Sequence, residues 1–114
     1  MSVMYYTYML RCKDNTIYTG ITTDIERRML EHFERGEKCA KYTIRHIPEK
    51  LECVWTSDSR KLASKLEYHI KTLTKAQKEK LICKEAKLED FLSEKLECYK
   101  YSLDILSLKK LSKE

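Results

Sequence analysis

The sequence predicts an α+β protein built on one core, and three observations predict it. Two aromatic and β-branched segments, YYTYMLR at 5–11 and TIYTGI at 16–21, flank the polar link KDN, which is the pattern of an antiparallel hairpin. LECVWTS at 51–57 alternates well enough to be a third strand. Beyond these, apolar residues recur at steps of three and four behind capping signals, as helices require.

Side chains alternate along a strand, so in the hairpin Tyr6 and Tyr8 face one side and Tyr5 and Thr7 the other. Thr23 followed by Glu26 is a capping box that opens a first helix with the apolar stripe Ile25, Met29 and Phe33; Gly36 closes it. Arg28 and His32 stand one turn apart on a flank of that stripe, between core and water, and Arg35 continues the flank. Residues 37–50 read as a long polar, basic loop. Within it Lys38, Lys41, Tyr42 and Arg45 combine cations with an aromatic ring, a combination suited to a phosphate backbone.

Ser57, Asp58 or Ser59 caps the second helix, whose period runs through Leu62, Leu66, His69 or Ile70, and Leu73, with Glu67 beside that stripe. Thr74 and Gln77 form another capping box and predict a short third helix to about Ile82. From Glu85, the residues Leu88, Phe91 or Leu92, Leu96, Tyr99, Leu103 and Leu106 fall at near-helical steps and predict one or two amphipathic helices. Such a tail, 84–114, either covers the core of residues 1–83 or forms a homodimer surface.

At 114 residues the chain suits a single domain, and with 42% hydrophobic residues it can fill a core. No apolar run approaches the ~18 residues that cross a bilayer, and the N-terminus has no secretory signal pattern, so a cytoplasmic protein is expected. The five cysteines are odd in number and widely spaced, without a C-x-x-C pair, which argues against a disulfide framework or a zinc site. Net charge is +5; residues 1–83 carry 16 Lys and Arg against 11 acids, while 84–114 carry seven of each. The surplus therefore lies in the first part and favours a polyanionic partner.

Tyr-Thr-Tyr at 6–8 and Tyr-Thr-Gly at 18–20, on a strand–turn–strand–helix order, resemble the signature of the GIY-YIG nucleases. Arg28 and His32 match that family's Arg and His, and Glu67 its metal-binding Glu. AKYTIRHIPEKLECVW and IKTLTKAQKEKLI further resemble the small stand-alone YhbQ-like bacterial members. The likeness spans roughly residues 4–83 and is ordered over five separated positions, which makes it far more specific than either tripeptide. Two departures stand out: Tyr6 occupies the place of the first Gly, and the Asn that many members carry after the metal Glu is absent, with Lys71 or Gln77 as substitutes.

The resemblance implies a three-stranded antiparallel sheet with flanking helices, a bound Mg²⁺ or Mn²⁺, and hydrolysis of DNA phosphodiester bonds in repair or recombination. It implies Glu67 as metal anchor, Tyr8 as acceptor of the water's proton, Tyr18 as its orienter, Arg28 as phosphate grip and His32 as hydrogen-bond donor or proton shuttle. Lys71 joins the loop residues as a DNA contact. Without the resemblance, the tyrosines would read as strand packing and the other three as solvated helix residues. The absent Asn motivates a rival: a nucleic-acid-binding module that has kept the fold and lost turnover.

Overall fold

A computed structural model of the chain describes residues 3–34 and 45–111. Strand β1 (Tyr5–Cys12) and strand β2 (Ile17–Thr22) form the expected hairpin, with Tyr8 opposite Gly20 and Leu10 opposite Tyr18. Its link is a three-residue turn. The Asn15 amide donates to the Cys12 carbonyl, and Asn15 itself takes φ 70°, a left-handed conformation that asparagine tolerates better than most residues.

Helix α1 (Ile25–Glu34) starts one residue later than Thr23 implied: the Asp24 carboxylate accepts from the Arg27 amide and is the cap. Its buried positions are Ile25, Met29 and His32, while Phe33 is exposed. A step of seven returns closer to the same face than a step of eight, so the stripe turns onto His32 and takes that ring from the expected boundary into the core.

Strand β3 (Pro48–Ser57) begins three residues before LECVWTS, and its proline sits at the first strand position, where the missing N–H costs least. It pairs antiparallel with β1. A register shift opposite Met9 and Leu10 leaves Glu52 as the extra residue, so Leu51 and Cys53 face opposite sides of the sheet. Helix α2 (Arg60–Lys71) is capped by Ser59, and helix α3 (Lys75–Ile82) carries both halves of the Thr74–Gln77 capping box.

The tail departs from the expected amphipathic helices. It folds as a five-residue helix α4 (Leu88–Leu92), a 3₁₀ turn (Cys98–Lys100), a two-residue strand β4 (Ser102–Leu103) and helix α5 (Ile105–Leu111). Strand β4 pairs with Trp55 and Thr56, so the sheet has four strands in the order β2-β1-β3-β4, not three. The edge of β3 is thereby covered, which satisfies backbone groups that an open edge would expose.

Helices cover both faces of the sheet. On one face Tyr8, Leu10, Leu51 and Val54 pack with Ile25 and Met29 of α1 and with Leu108 and Leu111 of α5. On the other, Met9, Cys53 and Trp55 meet Leu66 and Ile70 of α2, Leu81 of α3, and the tail residues Leu88, Leu92, Leu96, Cys98 and Tyr101. Fully burying a side chain such as Leu66 or Ile70 contributes about 1.5–3 kcal/mol. Tyr99, Leu103 and Leu106, expected on the tail's apolar stripe, are instead exposed.

Two polar ties fix the layers. Arg11 on β1, largely buried, donates to Glu52 of β3 at 2.9 Å and through both terminal nitrogens to Glu79 of α3 at 2.5 and 2.6 Å. The Tyr101 hydroxyl donates to the Leu62 carbonyl at 2.7 Å, anchoring the tail on α2.

Candidate active site

The pleat sends Tyr8, Tyr18 and the Gly20 position to one face of the hairpin, beneath α1. There the Tyr8 oxygen lies 2.8 Å from His32 Nε2. The three rings form a mutual cluster, with centroids 6.1 Å apart for Tyr8 and Tyr18, 5.7 Å for Tyr8 and His32, and 5.4 Å for Tyr18 and His32. Tyr8 and His32 are closed to solvent, whereas Tyr18 is half-buried.

Gly20 is part of this packing, although no role was foreseen for it. A Cβ there would stand 2.6 Å from the Tyr8 hydroxyl oxygen and 2.9 Å from a Tyr18 ring carbon. Its φ is not positive, so the demand is for space rather than for backbone freedom. The signal was in the sequence, as the glycine of Tyr-Thr-Gly.

Burial and the neighbouring Tyr18 push the Tyr8 phenol above its ordinary range, with Glu67 adding to them, while Arg28 pulls the other way through hydrogen bonding and charge. Tyr8 is therefore a neutral phenol at pH 7. Burial, then the Arg28 charge, lower His32 to about 4, against an opposing effect of Glu31. The ring is a neutral imidazole. With Arg28 donating to the phenol oxygen, the Tyr8 hydrogen turns to Nε2, which makes His32 the acceptor and leaves its proton on Nδ1. Arg28 stays charged, since Glu31 at 2.7 Å and the Tyr8 oxygen outweigh its partial burial.

Glu67 lies on α2, and its charge adds to the raising of the Tyr8 pKa. Its carboxylate is partly exposed and pairs with Lys71 one turn on, at 3.2 Å. The fold thus brings together Tyr8, Tyr18, His32 and Arg28, while Glu67 acts on Tyr8 by charge from α2 and holds Lys71. Arg45 is exposed ahead of β3, and among the described residues no hydrogen bond or ion pair joins it to the cluster. Lys38, Lys41 and Tyr42 lie outside the described residues, as do Arg35 and Gly36. Gln77 is occupied by its capping box, and the sole asparagine, Asn15, serves the hairpin turn.

Among the described residues no three or more His, Cys, Asp and Glu gather as a metal cage. A hard cation such as Mg²⁺ does not need one, because it commonly takes one or two carboxylates and fills its remaining positions with water and substrate phosphate. The partly exposed Glu67 carboxylate, an oxygen donor that solvent reaches, fits that mode of binding.

Residues 4–80 match the GIY-YIG catalytic domain. A UPF0213 protein of Fusobacterium nucleatum is 48% identical over 80 residues, covering 70% of this chain and 78% of its own. The UPF0213 protein YhbQ of Salmonella arizonae is 40% identical over 89 residues, covering 78% of this chain and 87% of its own. The solution NMR structure of a UPF0213 protein from Bacillus halodurans aligns with a TM-score of 0.46 at 40% identity, over 70% of this chain and 83% of that one. The chain belongs to the GIY-YIG nuclease superfamily, among its small UPF0213, YhbQ-like members.

Proposed function

We propose that the protein is a small metal-dependent endonuclease that hydrolyses phosphodiester bonds in DNA, in the cytoplasm and in the service of repair or recombination. The observation that carries this reading is the convergence of two phenols, an imidazole and a guanidinium at one place on the sheet, with Glu67 acting on Tyr8 by charge, within a domain matched to a nuclease superfamily.

Arg28 binds the scissile phosphate, since a guanidinium stays charged and can meet two phosphate oxygens at once. Tyr18, the ring that solvent reaches, holds the attacking water. Behind it Tyr8 and His32 form the proton sink: the water's proton passes to the Tyr8 oxygen as the phenol hydrogen moves to His32 Nε2. A standing phenolate is never required, which matters because the raised Tyr8 pKa forbids one at pH 7. Substrate binding favours the transfer, because a phosphate on Arg28 offsets one of the two causes of the low His32 pKa.

Glu67, with Lys71 released to the substrate, would hold Mg²⁺ or Mn²⁺, which supplies Lewis-acid stabilisation of the phosphoryl and departing 3′ oxygens. An array of duplex, branched and single-stranded DNAs incubated with each cation tests the reading: wild type cleaves at least one, and Glu67→Ala cleaves none. Salt-sensitive binding across the array without cleavage would instead favour a binding module.

A further inference from the structure

Beside the Tyr8–His32 cluster, sharing Arg28 with it, runs a groove of about 380 Å³ between the ends of the hairpin, the first turns of α1 and the start of α2. Arg27, Arg28 and Arg60 line it, together with Glu31 and the hydroxyl-bearing residues Tyr5 and Thr23. Two carboxylates are engaged by the first two of these guanidiniums: Glu31 pairs with Arg28 at 2.7 Å and lies 3.9 Å from Arg27, and Asp24 lies 3.9 Å from Arg27 as well. Arg60 is exposed and, among the described residues, has neither an ion pair nor a hydrogen bond. Among the described residues the groove therefore keeps a surplus positive charge at Arg60, and no hydrogen bond or ion pair accounts for that side chain's place there.

We propose that this groove is a second phosphate subsite, in which Arg60 and Arg27 hold a backbone phosphate of the strand whose scissile phosphate rests on Arg28. Arg28 both lines this groove and donates to Tyr8 of the cluster, so the two anion sites adjoin through it. Arg60 and Glu67 lie on the same helix seven residues apart, a rise of about 10 Å. A span of that length keeps the groove within reach of the strand that rests on Arg28. The partner is a phosphodiester backbone rather than a lone anion, because the charges are spread along an open groove.

The inference rests on the nuclease reading, and it makes no demand on base sequence: a guanidinium on a phosphate sets register. It assigns Arg60 to substrate binding, a role that its place in a polar stretch at a helix start does not disclose.

Binding of a labelled DNA that wild type cleaves, measured by anisotropy in EDTA from about 50 to 200 mM salt, tests it. Arg60→Ala should weaken binding and lower the salt slope by about 0.7–0.9, the value of one phosphate contact, whereas Arg60→Lys should retain the slope. On a ladder of DNAs shortened one nucleotide at a time, the Arg60→Ala penalty should vanish once the strand no longer reaches the groove. A salt slope equal to wild type in Arg60→Ala, or a penalty that persists on the shortest DNA, overturns the subsite while leaving the nuclease reading intact. If wild type binds no DNA in a salt-dependent way, both fall together.

Discussion

Acidification should unfold this protein through one ring. In the unfolded chain a histidine titrates near 6.5, whereas burial and the Arg28 charge lower folded His32 to about 4. Between those values the unfolded state binds more protons than the folded state, so stability is fully present above about pH 6.5 and is lost as pH falls toward 4. The gap of about 2.5 units, at 1.36 kcal/mol each, amounts to about 3 kcal/mol, a large share of the 5–15 kcal/mol that domains possess. Urea melts of wild type and His32→Gln from about pH 7 to pH 4.5 measure it. Gln keeps a hydrogen-bonding group for Tyr8 and removes the titration, and the difference between the two proteins cancels the other ionisable groups. Wild type should lose about 2–3 kcal/mol more than the variant over this range. Parallel curves would refute both the neutral, buried imidazole and the proton sink built on it.

Gly20→Ala places a methyl group 2.6 Å from the Tyr8 oxygen, which should force the two phenols apart, cost about 1–3 kcal/mol in urea melts and abolish any cleavage. Arg11→Ala leaves Glu52, mostly buried, without its strongest partner, and a loss of about 2 kcal/mol should appear in the same melts; unchanged stability would mean that the Arg11 clamp is idle. Tyr101→Phe removes the bond to the Leu62 carbonyl and should cost about 1 kcal/mol without altering the mass in solution, as expected if the tail is part of this chain's own core.

Local chemistry made much of the fold legible. The turn KDN, the cap at Thr74 and the alternation of LECVWTS each declare their element within a few residues, and each element is there. Strand β4 was not legible because two residues carry no period; only pairing with Trp55 and Thr56, nearly fifty positions away, makes them a strand. The tail misled for a related reason. Its leucines fall at helical steps, yet Leu88, Leu92 and Leu96 are buried from short segments docked on α2 and α3, and Leu103 and Leu106 face solvent.

At the site, motif spacing identified which side chains to watch but not their states. Nothing in the spacing of Arg28 and His32 separates a solvated histidine from one sealed under the sheet, because burial is decided by what covers the helix. The arginine groove was invisible for the same reason: Arg27 and Arg60 lie far apart in sequence and meet only through packing.

The central claim is that Tyr8, Tyr18, Arg28 and Glu67 act as one site. Single-turnover cleavage of a DNA substrate in Mg²⁺ or Mn²⁺ tests it most directly, comparing Tyr18→Phe, Arg28→Lys and their double variant, with Glu67→Ala as the inactive control. Residues that serve one reaction as a unit show strongly non-additive losses, so the double variant should be no slower than the worse single one. Losses that multiply, or cleavage that survives in Glu67→Ala, would contradict the account.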